Sequence, residues 1–203
     1  EKVAGTSIEV AFGRHCDSKD IVTQLVTFNG HKDSSIYSDF SRNYKGTNKY
    51  GPYKYFNHIH PEFVQRWHPD EWKEYTKVTV VRNPYDYLVS RYCFSYSTLP
   101  FGTFVKDFCK NAKTNSNNHT NERYYFDKDG KPLMDVYLRF ENLQEDYEKF
   151  CKQVGITPVI PLPRTKDKYR PKRPKFIDYR KPYENIDPMM ISMIKKTFAK
   201  TFK

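Results

Sequence analysis

The chain has 203 residues, of which 37% are hydrophobic, and it carries a formal net charge of +11 at pH 7. This size and apolar content are typical of one globular domain, so we predict a single domain over residues 1–203. The charge favours an anionic partner: nucleic acid, a phosphorylated nucleotide, an acidic polysaccharide or a membrane surface.

Four widely spaced cysteines without a Cys-x-x-Cys pair indicate neither a zinc site nor a dense disulfide framework, and one or two disulfide bridges are possible. No apolar run approaches the roughly 20 residues that span a bilayer.

The first element along the chain is the small-residue stretch Lys2–Ser7, followed by the apolar run Ile8–Phe12. Its glycine lets main-chain N–H groups converge on an anion, its two hydroxyl residues add donors, and the apolar run predicts a helix whose positive end faces the same anion. An ordinary helix N-cap is the commoner interpretation of such a stretch. Because a phosphate-binding loop normally follows a strand, we also expect a short apolar strand before residue 1.

The next elements lead to a pair of histidines. Ile21–Phe28 predicts a strand or a short helix, and residues 29–53 are polar and aperiodic, which predicts a long surface loop. Tyr55–His60 predicts a short strand. Since alternate side chains of a strand share a face, His58 and His60 would point into the same cleft.

A strand and helix follow with a distinctive turn between them. Pro61–Tyr75 predicts one or two helices, and Lys77–Val81 is a β-branched run typical of a buried parallel strand. Pro84 ends that strand and can occupy the first turn of a helix. Arg82 would then lie at the mouth of this helix and Ser90 two turns into it.

The second half of the chain continues the alternation of helices and strands. We predict a helix at Phe101–Cys109, a polar loop at Asn111–Arg123, a hairpin around Asp129–Gly130, a strand at Val136–Phe140, a helix at Gln144–Val154 closed by Gly155, a basic proline-rich segment at Pro158–Pro182 and a final helix at Met189–Phe202. Alternating strands and helices favour an α/β fold with a largely parallel sheet and ligands at its carboxyl edge.

Three stretches, Lys2–Ser7, Val81–Tyr92 and Leu138–Leu143, together resemble the sulfotransferases that use 3′-phosphoadenosine 5′-phosphosulfate (PAPS). The second stretch is the most specific, because its strand, Arg-x-Pro turn and serine eight residues after the arginine are similar to that family's 3′-phosphate site. The resemblance covers nearly the whole chain and is nearest to carbohydrate sulfotransferases of the heparan 2-O and chondroitin 4-O type. It implies a P-loop-like sulfotransferase fold, a central and mainly parallel sheet flanked by helices. Many family members have proline before the loop lysine, where this chain has Glu1.

The resemblance also implies a set of nucleotide-binding residues. Lys2, Ala4, Gly5, Thr6 and Ser7 would hold the 5′-phosphosulfate, and Arg82 and Ser90 would hold the 3′-phosphate, for which a forked guanidinium and a hydroxyl are suitable donors. In the family a C-terminal basic loop closes over the nucleotide, which makes Lys172 and Arg173 candidates for that task. The alternatives are a helix N-cap for the Lys2–Ser7 stretch, an ordinary solvated residue at a strand end for Arg82, a helix-face serine for Ser90 and a solvated basic surface for Lys172 and Arg173.

The histidine pair resembles the His-x-His stretch of the heparan 2-O type enzymes, in which the second histidine is the base. His60 would therefore accept the proton of the acceptor hydroxyl, with His58 in support and Glu62 as the alternative base. Metal binding by the pair is an alternative, but the sequence shows no third ligand nearby, and the family's reaction needs no metal.

The expected activity is transfer of a sulfuryl group from PAPS to an acceptor hydroxyl, with 3′,5′-diphosphoadenosine (PAP) as product. The acceptor is expected to be a carbohydrate, with a small phenol as the alternative. A non-catalytic basic module that binds nucleic acid or polysaccharide is the competing class, although no zinc-finger, helix-turn-helix or RNP-like pattern is present and no nucleic-acid partner is expected. A soluble cytoplasmic protein is the default expectation, and a Golgi enzyme is the alternative if a membrane anchor precedes residue 1.

Overall fold

The computed structural model describes residues 2–17, 19–23, 55–95, 97–112, 120–163 and 178–202. Within these ranges the chain is a mixture of helices and strands, which confirms the α/β class. The helices are α1 (Gly5–Gly13), α2 (Pro61–Trp67), α3 (Pro69–Glu74), α4 (Pro84–Phe94), α5 (Phe101–Asn111), α6 (Glu122–Tyr125), α7 (Leu143–Val154) and α8 (Pro188–Thr197), and the strands are β1 (Val78–Val81) and β2 (Val136–Arg139).

The two strands form a parallel pair, in register from Val78 opposite Val136 to Val81 opposite Arg139. The predicted parallel pairing is thus confirmed for a two-stranded sheet in the described residues. The β-branched sequence of β1 suits burial, and the opposed residues Val80 and Leu138 are almost completely buried. Because the strands run in the same direction, the residues that follow them lie at one edge of the sheet.

The chain divides into two compact units, and the prediction of a single domain over 1–203 stays a prediction. The first unit contains the described parts of residues 3–75 and 142–165. The second contains residue 2 and the described parts of 76–141 and 166–203.

In the first unit, α1 packs against α7 through aromatic rings. The ring of Phe12 meets those of Tyr147 and Phe150 edge-on, with centroids 5.4 and 5.8 Å apart. Helix α7 ends as predicted at Gly155, which has a φ of 75° that a glycine adopts without strain. This packing fixes the axis of α1, and therefore the direction of its N-terminus, within this unit.

In the second unit, α4, α5 and α8 share one core. Its buried members are Tyr87, Leu88, Val105, Phe108, Met190, Ile194 and Phe198. The rings of Phe108 and Phe198 stack with centroids 6.2 Å apart. Burial of these side chains provides most of the free energy that holds α4 in place.

The predicted helices and strands differ from the structure at three described places. Residues 198–202 form turns instead of continuing α8, because Glu122 accepts hydrogen bonds from both the N–H and the hydroxyl of Thr201. The short helix α6 occupies the end of the predicted loop Asn111–Arg123.

The hairpin predicted around Asp129–Gly130 is confirmed, with a bridge between Phe126 and Pro132 and Gly130 at a φ of 82°.

The third difference is the predicted strand Tyr55–His60, treated below. Of Ile21–Phe28, only residues up to Thr23 are described, and they are not helical. The predicted loop at residues 29–53 lies outside the described residues. None of the four cysteines forms a disulfide. No helix in the described ranges is long and apolar enough to cross a membrane.

An ion pair joins the starts of the two strands and predicts a pH dependence of stability. Asp135 accepts hydrogen bonds from the ammonium of Lys77 at 2.7 Å and from its N–H at 2.8 Å. These bonds hold the pKa of the Asp135 carboxyl below its ordinary value of 3.8. A lowered folded-state pKa contributes stability above the unfolded-state pKa that is lost as pH falls through the folded-state pKa.

We therefore expect Asp135→Asn to reduce the loss of stability on acidification from pH 7 to pH 2.5, measured by urea unfolding at each pH. Asp129→Asn, which replaces an exposed carboxylate in the hairpin, is the matched control. Equal acid sensitivity of wild type and Asp135→Asn would contradict the role of this pair.

Candidate functional site

The first turn of α1 consists of Gly5, Thr6 and Ser7, so the two hydroxyl residues lie inside the helix and neither is its N-cap. The N-cap is Ala4, with a φ of 59° and a ψ of 22° and no side-chain capping hydrogen bond. Lys2 also has a positive φ, of 58°. The commoner interpretation of the stretch, a helix capped by Ser or Thr, is therefore wrong.

Within the described part of the chain, only some N–H groups of this turn have a main-chain acceptor. Those of Ser7 and Ile8 donate to the carbonyl of Ala4, whereas the described residues provide no main-chain acceptor for those of Gly5 and Thr6. Two adjacent N–H groups at the positive end of a helix form a favourable place for an anion. A Cβ added at Gly5 would meet nothing within 4 Å, so the space directly beside Gly5 is open.

The predicted strand, turn and helix around Arg82 are confirmed. Asn83 caps α4, since its side-chain oxygen accepts from the N–H of Tyr85 at 2.9 Å, and Pro84 occupies the first turn. The N–H of Asn83 donates to Glu141 Oε1 at 2.7 Å. This bond links the turn after β1 to the residues that follow β2 and fixes the position from which Arg82 projects.

The Arg82 side chain is only 12% exposed and is held by three groups. Its Nε donates to Asp86 Oδ2 at 2.7 Å, its Nη1 donates to the carbonyl of Lys2 at 2.6 Å, and its guanidinium lies 3.9 Å from the ring centroid of Phe140. A guanidinium has five N–H donors, so two of these contacts leave three for a ligand or another partner. The alternative of an ordinary solvated arginine at a strand end is therefore wrong.

Ser90 is half-buried and lies one helical turn after Asp86 on α4. Residues four apart on a helix share a face, so Ser90 lies on the same face as the carboxylate that holds Arg82. The intervening Tyr87, Leu88 and Val89 are buried. Helix α4 thus carries Asp86 and Ser90 on one face and directs an apolar face toward the core.

The ammonium of Lys2 lies 4.2 Å from the ring centroid of Phe94, the last residue of α4. Sequence reasoning missed Phe94, which lies outside the recognised motifs, and gave no role to Phe140, although Phe140 lies within the stretch Leu138–Leu143. Asp86 was detectable, since an arginine and an aspartate four residues apart at the start of a helix can form an ion pair.

The histidine pair is arranged differently from the prediction. Asn57 and His58 form a turn in place of a strand, and His58 is exposed with a φ of 59°. The side chain of Asn57 accepts a hydrogen bond from the hydroxyl of Thr23, a contact that favours the turn. Strand alternation therefore does not place His58 and His60 on one face.

His60 is instead the N-cap of α2. Its Nδ1 accepts from the N–H of Glu62 at 3.3 Å and lies 3.8 Å from the Oε2 of the same residue. In a neutral imidazole only one nitrogen accepts, so this contact places the proton on Nε2. Nε2 can accept a proton only in the other tautomer, in which Nδ1 carries the proton and the capping hydrogen bond from the N–H of Glu62 is lost.

Lys172 and Arg173 lie outside the described residues. Arg139 ends β2 and is exposed. In the described ranges no three His, Cys, Asp or Glu side chains are grouped as metal ligands.

Comparison of the chain with family models, with curated proteins and with solved structures gives no match in any of the three.

The cap at His60 can be tested apart from any chemistry. We expect His60→Ala to destabilise the protein by about 0.5–1 kcal/mol, because the N–H of Glu62 loses its acceptor. His60→Asn should restore most of this loss, since asparagine is a strong N-cap. Urea denaturation of the three proteins measures the difference, and an unchanged stability of His60→Ala would exclude the cap.

Proposed function

We propose that this protein is a PAPS-dependent sulfotransferase with the P-loop-like fold of that family, and that it transfers a sulfuryl group to a carbohydrate hydroxyl. The observation that carries this proposal is the 2.6 Å hydrogen bond from Arg82 to the carbonyl of Lys2. It joins a residue assigned to the 3′-phosphate to a residue assigned to the 5′-phosphosulfate. Such a contact is expected if both belong to the site of one nucleotide.

Each proposed nucleotide contact has a chemical reason. The N–H groups of Gly5 and Thr6 suit the oxygens of the 5′-phosphate, because they have no main-chain acceptor in the described residues. The remaining Arg82 donors and the Ser90 hydroxyl suit the 3′-phosphate. Ala4 and Ser7 complete the loop, and Lys172 and Arg173 keep their proposed role in covering the nucleotide.

The proposed reaction is an in-line displacement at sulfur. The acceptor oxygen forms a bond to sulfur while the bond from sulfur to the phosphate oxygen breaks, and PAP leaves with the bonding electron pair. Lys2 and the first turn of α1 stabilise the charge that develops on the departing oxygen. The hydroxyl proton passes to the base.

His60 is the proposed base, with His58 in support. To accept the hydroxyl proton at Nε2, His60 must carry its own proton on Nδ1. The Oε2 of Glu62 lies 3.8 Å from Nδ1 and is the carboxylate that would stabilise this tautomer. Glu62 would then orient the imidazole, as a carboxylate does in other histidine-based sites. The alternative is that the half-exposed Glu62 carboxylate accepts the proton itself.

The variant Gly5→Ala distinguishes an effect on PAP binding from an effect on folding stability. Because the added Cβ meets no protein atom within 4 Å, we expect equal or slightly higher stability, by about 0.4–1 kcal/mol. The same Cβ would crowd an anion at the Gly5 and Thr6 N–H groups, so we expect PAP affinity to fall at least about tenfold, or 1.4 kcal/mol.

Thermal unfolding with and without PAP measures both effects for Gly5→Ala, and random oligonucleotides are the control ligand. Stabilisation of the wild type by oligonucleotides but not by PAP would overturn the sulfotransferase in favour of a nucleic-acid-binding module. Undiminished PAP binding by Gly5→Ala would remove the first turn of α1 from the site.

Transfer of labelled sulfate from PAPS, screened over glycosaminoglycans, simple sugars and phenols, tests the activity and the acceptor. We expect Lys2→Ala to lower kcat about 100- to 1000-fold, because the charge on the departing oxygen loses its cation. Lys110→Ala, which removes an exposed cation from α5, is the control.

The same assay identifies the base. If His60 is the base, His60→Asn abolishes transfer although the cap is kept, and Glu62→Gln lowers kcat partially. Abolition by Glu62→Gln together with substantial activity in His60→Asn would assign the base to Glu62. Full activity of Lys2→Ala and His60→Asn would exclude the proposed mechanism.

A further inference from the structure

Lys2 contacts residues at both ends of helix α4. Arg82, two residues before α4, donates to its carbonyl at 2.6 Å, and Phe94, the last residue of α4, lies 4.2 Å beneath its ammonium. The main chain and the charged group of Lys2 thus have separate partners on the same rigid element.

The main-chain conformation of Lys2 needs such support. Its φ of 58° lies in the left-handed region, which is sparsely populated by residues other than glycine and persists where surrounding contacts impose it. The hydrogen bond from Arg82 to the Lys2 carbonyl is a contact of this kind. Asp86 in turn fixes the opposite side of the guanidinium through Nε.

The ammonium of Lys2 is also placed by its partner. A lysine side chain has four rotatable bonds and in water samples many rotamers. A cation over the face of an aromatic ring is attracted by the ring's negative face. Phe94 is 37% exposed, so its ring is accessible from solvent and is not needed to fill the core.

We propose that Arg82 and Phe94 are positioning residues for Lys2, with Arg82 fixing its main chain and Phe94 fixing its ammonium. The role of Lys2 in the reaction rests on the proposed function, whereas its two contacts do not. Arg82 then acts on both ends of the nucleotide, directly at the 3′-phosphate and through Lys2 at the transferred group. An arginine that only binds the 3′-phosphate would act at one end.

A donor that lacks the 3′-phosphate distinguishes these two roles. We expect Arg82→Ala to lower kcat/KM for PAPS and also, by about tenfold or more, for adenosine 5′-phosphosulfate, which has no 3′-phosphate to lose. Arg82→Lys should not rescue the second reaction, because a lysine cannot bond Asp86 and the Lys2 carbonyl with one planar fork. A loss confined to PAPS would overturn the positioning role of Arg82.

Two substitutions, Phe94→Leu and Phe94→Trp, test the role of Phe94. Phe94→Leu should lower kcat about two- to fivefold with little change in KM, as expected from the modest attraction of an exposed cation and ring. Phe94→Trp should restore kcat, because tryptophan binds cations at least as well. Equal kcat in Phe94→Leu and wild type, or failure of Phe94→Trp to rescue, would overturn the role of Phe94.

Hydrogen exchange of the full chain without nucleotide gives a readout that is independent of catalysis. We expect Arg82→Ala to increase the exchange rates of the Val3–Ser7 amides about tenfold and Phe94→Leu to increase them less, with Lys110→Ala as the unchanged control. Unchanged exchange in Arg82→Ala would overturn the inference. Faster exchange in a protein that binds neither PAP nor PAPS would support the positioning of Lys2 while removing the proposed function.

Discussion

The structure around the candidate site depends on the guanidinium of Arg82. One planar group meets a carboxylate on α4, a main-chain carbonyl at Lys2 and an aromatic ring after β2. A lysine at this position could satisfy one of these partners but not all three, because its ammonium has no fork. The ends of the two parallel strands and the start of α4 are therefore arranged around one side chain.

Local signals predicted the elements that carry this side chain. A β-branched run predicted β1, a proline after an asparagine predicted the start of α4, and Gly155 predicted the end of α7. Each of these signals acts over a few residues and does not depend on the rest of the fold. The class of fold and the position of the Arg-x-Pro turn were for this reason accessible from the sequence.

The parts that the sequence did not predict depend on distant partners. The turn at Asn57 contacts Thr23, 34 residues away, and the end of α8 is set by Glu122, 79 residues from Thr201. Arg82 and Lys2 are separated by 80 positions. A motif can place each of these residues on an element, and the spacing of Arg82 and Asp86 indicates their ion pair, but only the tertiary structure shows that Arg82 contacts Lys2.

The ion pair between Arg82 and Asp86 affects how strongly Arg82 can bind an anion. A buried cation without a counter-ion is costly, so a site that relied on bare arginine would be stable only when an anion was bound. Asp86 supplies that counter-ion within the chain, so the charge of the guanidinium is balanced by the protein itself. Under the proposed function, the 3′-phosphate would share the arginine with this carboxylate, which would weaken nucleotide binding and favour release of PAP.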